Sequence, residues 1–148
     1  MNESKTKYTE ITHDEVITAV EASKVRKDIT LKEGAKSLIL KVKGKGIERF
    51  VNVIVCGDAK FENKLLRRIL NVSDISFASP ADVELITDGV KPGGVPPFGN
   101  LFGLEVIADE NILKNEQIAF SAGSRYKTIV MSITDWKNLV TPKFYQLY

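Results

Sequence analysis

The chain of 148 residues holds one histidine, His13, and one cysteine, Cys56. A histidine-rich zinc site is therefore impossible, and one thiol does not rescue it. No internal disulfide can form, which fits a reducing, cytoplasmic setting. A Ser-His-Asp triad would have to use His13, and no Gly-x-Ser-x-Gly elbow presents a serine. Nothing in the sequence flanking Cys56 would activate its thiol. It closes an apolar run before Gly57 and reads as a small buried hydrophobe. No Gly-x-x-x-x-Gly-Lys-Ser/Thr loop and no Gly-x-Gly-x-x-Gly after a strand is present, so nucleotide-phosphate cradles are absent. No apolar stretch approaches the ~20 residues of a membrane helix, and Met1 to Lys7 is polar, unlike a signal peptide. Neither a metal nor a cofactor is expected.

What is present is an ordinary globular composition, 43% hydrophobic and 27% charged with a net charge of +2. This length suits one domain, 1–148, with a core of its own. The balance of charge is not that of a dedicated nucleic-acid coat, but the cations cluster: Lys24, Arg26 and Lys27; Lys41, Lys43 and Lys45; Lys64, Arg67 and Arg68. Each cluster reads either as a solvated face or as a set of phosphate contacts.

Tyr8 to Thr12 alternates as a strand. Thr18 to Glu21 has capping-box spacing, predicting a helix to about Arg26. Leu38–Val42 and Phe50–Val55, joined through Gly44-Lys45-Gly46, read as a hairpin. Glu62 to Leu70 has helical apolar spacing. Ser73 to Phe77 reads as a short strand, and Ser79-Pro80 as a cap and first-turn proline of a helix to about Thr87. Leu104–Ala108, Gln117–Ser121 and Lys127–Ile133 read as strands, with a single helical turn at Asp109 to Lys114. Thr134 is expected to cap a last helix through Val140, ended by Pro142. The aromatic tail from Lys143 to Tyr148 is expected to pack on the domain or on a partner. Strands outnumber helices and hairpins dominate. The expected fold is α+β, a curled, mixed, mostly antiparallel sheet with packed helices. The short spacing between strands argues against a doubly wound parallel sheet.

The one concentrated glycine-proline stretch, Pro92 to Gly99, is too short for a linker and reads as a stiffened loop inside the domain. Its prolines lack the N–H groups a phosphate loop needs, so it offers rigid backbone carbonyls instead. Taken alone, it is a structural turn and Lys36 a surface lysine.

Four blocks change that. They are His13 through Leu40, ending in Gly34-Ala35-Lys36-Ser37-Leu38; Val55-Cys56-Gly57-Asp58 with Asn63-Lys64-Leu65; Thr87 through Gly99 with Gly93 to Pro97; and Phe120 to Arg125, leading to Asp135. In this order, over nearly the whole chain, they resemble the YbaK/prolyl-tRNA-editing family, whose members stand alone or are inserted in bacterial prolyl-tRNA synthetases. The family usually opens with a helix before the first strand, whereas here only Met1 to Lys7 precedes it.

The resemblance implies hydrolysis of the ester between a small amino acid and the terminal ribose of a mischarged tRNA. Alanine, serine, cysteine and threonine are the candidates, with alanine or serine favoured. Such an ester is already activated, so orientation, admission of water and stabilisation of the oxyanion suffice, and few histidines are needed. Lys36 corresponds to the family's functional lysine, expected to face the Gly93 loop across one small cleft. Gly93, Gly94 and Pro97 are expected to shape the amino-acid pocket, with Ser121 and Gly123 lining the same cleft. Ser121 is equally readable as a strand-end hydroxyl satisfied by backbone. His13 and Thr18 fall near the pocket wall, yet Thr18 is already explained as a cap and His13 is equally readable as structural. Asp135 is equally readable as a first-turn helix charge. Expected partners are mischarged tRNA through its acceptor end and an aminoacyl-tRNA synthetase, with no membrane. The alternatives are a non-catalytic tRNA- or partner-binding module of the same fold, and a hydrolase of small aminoacyl esters.

Overall fold

The computed structural model describes residues 8–13, 15, 33–57, 59, 61–91 and 94–147. Among these described residues, eight strands and three α-helices follow in order: β1 (Tyr8–Thr12), β2 (Ala35–Gly44), β3 (Ile47–Cys56), α1 (Asn63–Leu70), β4 (Asp74–Phe77), α2 (Pro80–Thr87), β5 (Glu105–Asp109), β6 (Gln117–Ser121), β7 (Lys127–Ser132), α3 (Ile133–Val140) and β8 (Lys143–Tyr145). Short 3-10 turns cover Gly99–Phe102 and Glu110–Lys114. The helix expected from Thr18 to Arg26 lies outside the described residues.

The expected α+β class, with mixed and mostly antiparallel pairing, is what the fold has. The strands form two sheets: an antiparallel one in the order β1-β7-β6 and a mixed one in the order β4-β2-β3-β5-β8. β2 and β3 pair along their full length, Ala35 opposite Cys56 and Gly44 opposite Ile47. β5 and β8 join in parallel, Val53 beside Ile107 and Ala108 beside Phe144. The sheets meet where β2 begins. Gly34 bridges Ala119 of β6, the Ala119 N–H donates to Glu33 at 2.9 Å, and the Gly57 N–H donates to Gly34 at 2.6 Å. The first residues of β2 thus sit at the seam.

Alternation along β2 sends side chains to two environments. Leu40 and Val42 join the main core with Val51, Val53 and Leu66 of α1. Ile39, on the other face, joins a second cluster with Val83 of α2 and Val95. Ser79 caps α2 as expected, its hydroxyl accepting from the Asp82 N–H at 3.1 Å. The cap of α3 is Ser132 and not Thr134: its hydroxyl accepts from the Asp135 N–H at 3.1 Å, and the helix starts at Ile133. Ser132 and Thr134 are both acceptable caps, and the end of β7 decides which one has extended backbone. The tail packs on the domain. Leu147 is fully buried, its N–H donates to Asp109 and its carbonyl accepts from Glu62, just ahead of α1. Cys56 is buried, as a small core residue should be.

Two buried polar side chains tie the glycine-proline segment to this frame. Asn52, with no exposed surface, sits mid-strand in β3. Its amide donates to Ser37 Oγ at 2.9 Å and to the Leu38 carbonyl at 3.1 Å, and its Oδ1 accepts from the Gly99 N–H at 3.0 Å. Only glycine fits at 99, because a Cβ there would stand 2.5 Å from that of Asn52. Trp136 of α3, also fully buried, donates its indole N–H to the Pro97 carbonyl at 3.0 Å and packs edge-on against Phe144.

Asn52→Leu keeps the volume but strands the buried Gly99 N–H and removes the bonds to Ser37 Oγ and the Leu38 carbonyl. We expect a loss of about 2–4 kcal/mol, read as a urea midpoint shift. Trp136→Phe leaves the Pro97 carbonyl unpaired, at a cost of about 1–3 kcal/mol. Because the chain has one tryptophan, its unfolding must be followed by circular dichroism. Wild-type midpoints in these variants would show that the loop is held by other contacts.

Candidate functional site

Lys36 is the second residue of β2 and is half-buried. Its ammonium donates to the carbonyl of Ala59, in the connection from β3 to α1. Ser37 leaves the strand on the opposite face, and its hydroxyl donates to the Pro96 carbonyl at 3.1 Å. Among the described residues, the hydrogen-bonded link between β2 and the glycine-proline loop is therefore made by Ser37, with Asn52 behind it.

The loop also meets the fourth block. A Cβ on Gly94 would lie 3.2 Å from the backbone of Ser124, so the two segments touch through bare backbone. Gly94 and Gly123 share the wall of a cavity of about 220 Å³ with Lys91, Glu15, Arg125 and Tyr126. That is smaller than a typical ligand pocket of roughly 300–1,000 Å³, and suits a small group. Gly123 has φ +84°, a backbone conformation that glycine adopts without strain. The cavity is polar: Glu15 accepts from the Tyr126 hydroxyl at 3.3 Å and lies 3.9 Å from the Arg125 guanidinium.

Ser121 ends β6 directly opposite Thr128 of β7. Thr128 is fully buried, and its hydroxyl lies 2.7 Å from Nε2 of His13, whose N–H donates to the Tyr126 carbonyl at 2.8 Å. His13, Thr128 and Ser121 thus form one polar cluster beside the turn that carries Gly123. Lys36 and Ser121 each stand two residues beyond the Gly34–Ala119 bridge, on strands that leave it in the same direction. Among the sequence-derived candidates, Lys36 and Ser121 lie beside the seam between the sheets, Gly94 and Gly123 share the wall of a cavity that Lys36 does not line, and His13 reaches Ser121's strand partner Thr128. Pro97 contributes differently from Gly94: it is buried, and its carbonyl is taken up by Trp136. Gly93 and Thr18 lie outside the described residues. Asp135 occupies the first turn of α3, where its charge favours the helix.

Sequence reasoning missed Asn52, Ser37, Thr128 and Glu15. Asn52 carried a readable signal, since one amide inside Phe50-Val51-Asn52-Val53-Ile54-Val55 must find partners if the strand is buried. Ser37 and Thr128 sit at strand positions where a hydroxyl is unremarkable until its partner is known.

A family model described as the aminoacyl-tRNA editing domain matches residues 13–139. The chain is 31% identical over 134 residues to the multifunctional Ser/Thr-tRNA deacylase ProXp-y of Escherichia coli (strain K12), covering 90% of this chain and 79% of that protein. It is 30% identical over 145 residues to the prolyl-tRNA editing protein ProX of Acetoanaerobium sticklandii, covering 95% and 85%. A solved structure described as a candidate trans-editing enzyme for prolyl-tRNA synthetase aligns with a TM-score of 0.80 at 20% identity, covering 95% of this chain and 85% of that one. That last likeness concerns the fold alone. With a family model spanning most of its length and two such relatives, the chain belongs to the aminoacyl-tRNA editing domain family.

Proposed function

We infer that the chain, as one editing domain over 1–148, is a trans-editing deacylase that hydrolyses the ester of a tRNA mischarged with a small amino acid. The supporting observation is the meeting of two separated segments, at Gly94 and at Gly123–Tyr126, around one small cavity, with nearby Pro96 hydrogen-bonded to Ser37 at the start of β2. The two curated relatives carry names for this activity on Ser/Thr-tRNA and on prolyl-tRNA editing.

In this reading the aminoacyl group enters between Gly94 and Gly123, where bare backbone allows close approach. The four-carbon stem of Lys36 lets its ammonium leave the Ala59 carbonyl and reach the ester carbonyl. There it orients the carbonyl and stabilises the negative charge that grows as water adds. The expelled ribose oxygen takes a proton, and the free amino acid leaves with its carboxylate. No strong protein base is required, because the ester is activated and the neighbouring ribose hydroxyl can position water. The acceptor end of the tRNA delivers the substrate, a synthetase supplies the mischarged pool, and the cytoplasm is the expected setting. No helix among the described residues is long and apolar enough to cross a membrane.

Lys36→Ala should lower single-turnover deacylation of Ser- or Ala-charged tRNA by about 10²–10³-fold, the effect of losing one oxyanion donor, with the fold retained by circular dichroism. Wild-type turnover in a folded variant would remove Lys36 from the chemistry, and saturable binding of every mischarged tRNA without release would favour a binding module. Gly94→Val forces side-chain atoms against the Ser124 backbone and fills the cavity. At least a tenfold loss of kcat/KM on the same substrates is expected, and unimpaired activity would place the aminoacyl group elsewhere.

A further inference from the structure

The three basic clusters of the sequence fare differently in the fold. Lys24, Arg26 and Lys27 lie outside the described residues. In the hairpin cluster, Lys41 and Lys43 both reach Glu48, at 2.8 and 3.6 Å. The hydrogen bond between Lys41 and Glu48 holds the carboxyl below its usual range and the ammonium above its own. That pair of cations is already answered by protein.

Lys64, Arg67 and Arg68 of α1 are not. At 100° per residue they fall within one arc about 100° wide, opposite Leu65, Leu66, Ile69 and Leu70. Leu66 is fully buried, whereas Lys64 and Arg68 are exposed. No ion pair among the described residues includes any of the three. Arg67 Nε is buried without a hydrogen-bond partner. Helix stability does not explain the pattern. Arg67 and Arg68 suit the last turn, but Lys64 stands in the first turn, which holds no acidic residue, and Glu62 makes no side-chain cap bond.

An aromatic step lies between this arc and Lys36. Phe61, in the connection from Ala59 to α1, packs against Phe77 at 6.3 Å between ring centroids, and Phe77 remains 66% exposed. Phe77 pairs with Leu40, on the strand face that also carries Lys36. Four residues of strand separate Lys36 from Leu40, or about 13 Å. Ammonium, exposed ring and basic arc therefore follow one another on the α1 side of the sheet.

We propose that the outer arc of α1 and the ring of Phe77 form the docking surface for the RNA that carries the ester. Lys64, Arg67 and Arg68 take backbone phosphates, and Phe77 stacks an unpaired base of the 3′ strand on its way to Lys36. The choice of tRNA as occupant rests on the deacylase reading. The charge complementarity and the aromatic platform do not.

The test uses the full chain and a labelled, uncharged RNA hairpin with a single-stranded 3′ tail. Binding is measured by anisotropy across a salt series. K64Q/R67Q/R68Q should weaken binding at least tenfold near 0.1 M salt and flatten the log K against log salt slope by about two to three. K64Q/R68Q, confined to exposed positions, should give an intermediate loss and guards against a folding defect. Phe77→Ala should weaken the tailed hairpin about tenfold and leave a blunt hairpin unaffected. On mischarged tRNA the triple variant should show a raised KM with kcat retained. Wild-type affinity and salt slope in the triple variant overturn the proposal while leaving the deacylase reading intact. Failure of the wild-type chain to release any amino acid sinks that reading, and the hairpin series still decides the docking surface.

Discussion

The side-chain amide of Asn52 is the contact on which the arrangement of the site depends. It reaches Ser37 and Leu38 on the neighbouring strand and Gly99 at the end of the loop. A fully buried amide with three partners is costly to break, since each stranded group forfeits about 1–3 kcal/mol. Its geometry allows one loop position, because Gly99 must lie against the Asn52 side chain with no Cβ of its own. Ser37 then passes the constraint to Pro96, and Trp136 fixes Pro97 from the other side. A segment without regular secondary structure is thereby tied down at Pro96, Pro97 and Gly99, the kind of anchoring that orienting an activated ester requires.

The seam between the two sheets does the rest. Gly34 touches β6 through Ala119 and receives the Gly57 N–H, so the start of β2 is bound on both sides. Alternation then separates two tasks between adjacent residues. Ser37 turns toward the loop and secures it, while Lys36 turns toward Ala59 and α1, its ammonium bonded to the Ala59 carbonyl. The fold keeps the positioning and the charge-bearing roles on opposite faces of one strand. It also sets the basic arc of α1 on the Lys36 side of the sheet.

Much of this was legible in the sequence, for physical reasons. The β2–β3 hairpin announced itself by β-branched runs around Gly44-Lys45-Gly46, and α2 by Ser79-Pro80. Sheet membership was not legible: one curled sheet was expected and two are hydrogen-bonded, because pairing partners depend on long-range closure at Gly34. β8 was missed because three residues added in parallel to β5 leave no periodic signal. The expected facing of Lys36 and the Gly93 loop came from family resemblance alone, whereas strand alternation gives the hydrogen bond to the loop to Ser37 and turns Lys36 to the opposite face of β2, toward Ala59. Asn52 went unnoticed since its importance lies in a partner 47 residues away.

The most direct measurement is a crystal structure with an amide-linked, non-hydrolysable analogue of the 3′-aminoacyl adenosine. The account predicts the analogue's carbonyl within about 2.7–3.2 Å of Lys36 Nζ, a hydrogen-bond distance, and its amino-acid side chain against Gly94 and Gly123. Well-ordered ligand elsewhere, with the ammonium still on the Ala59 carbonyl, would contradict it.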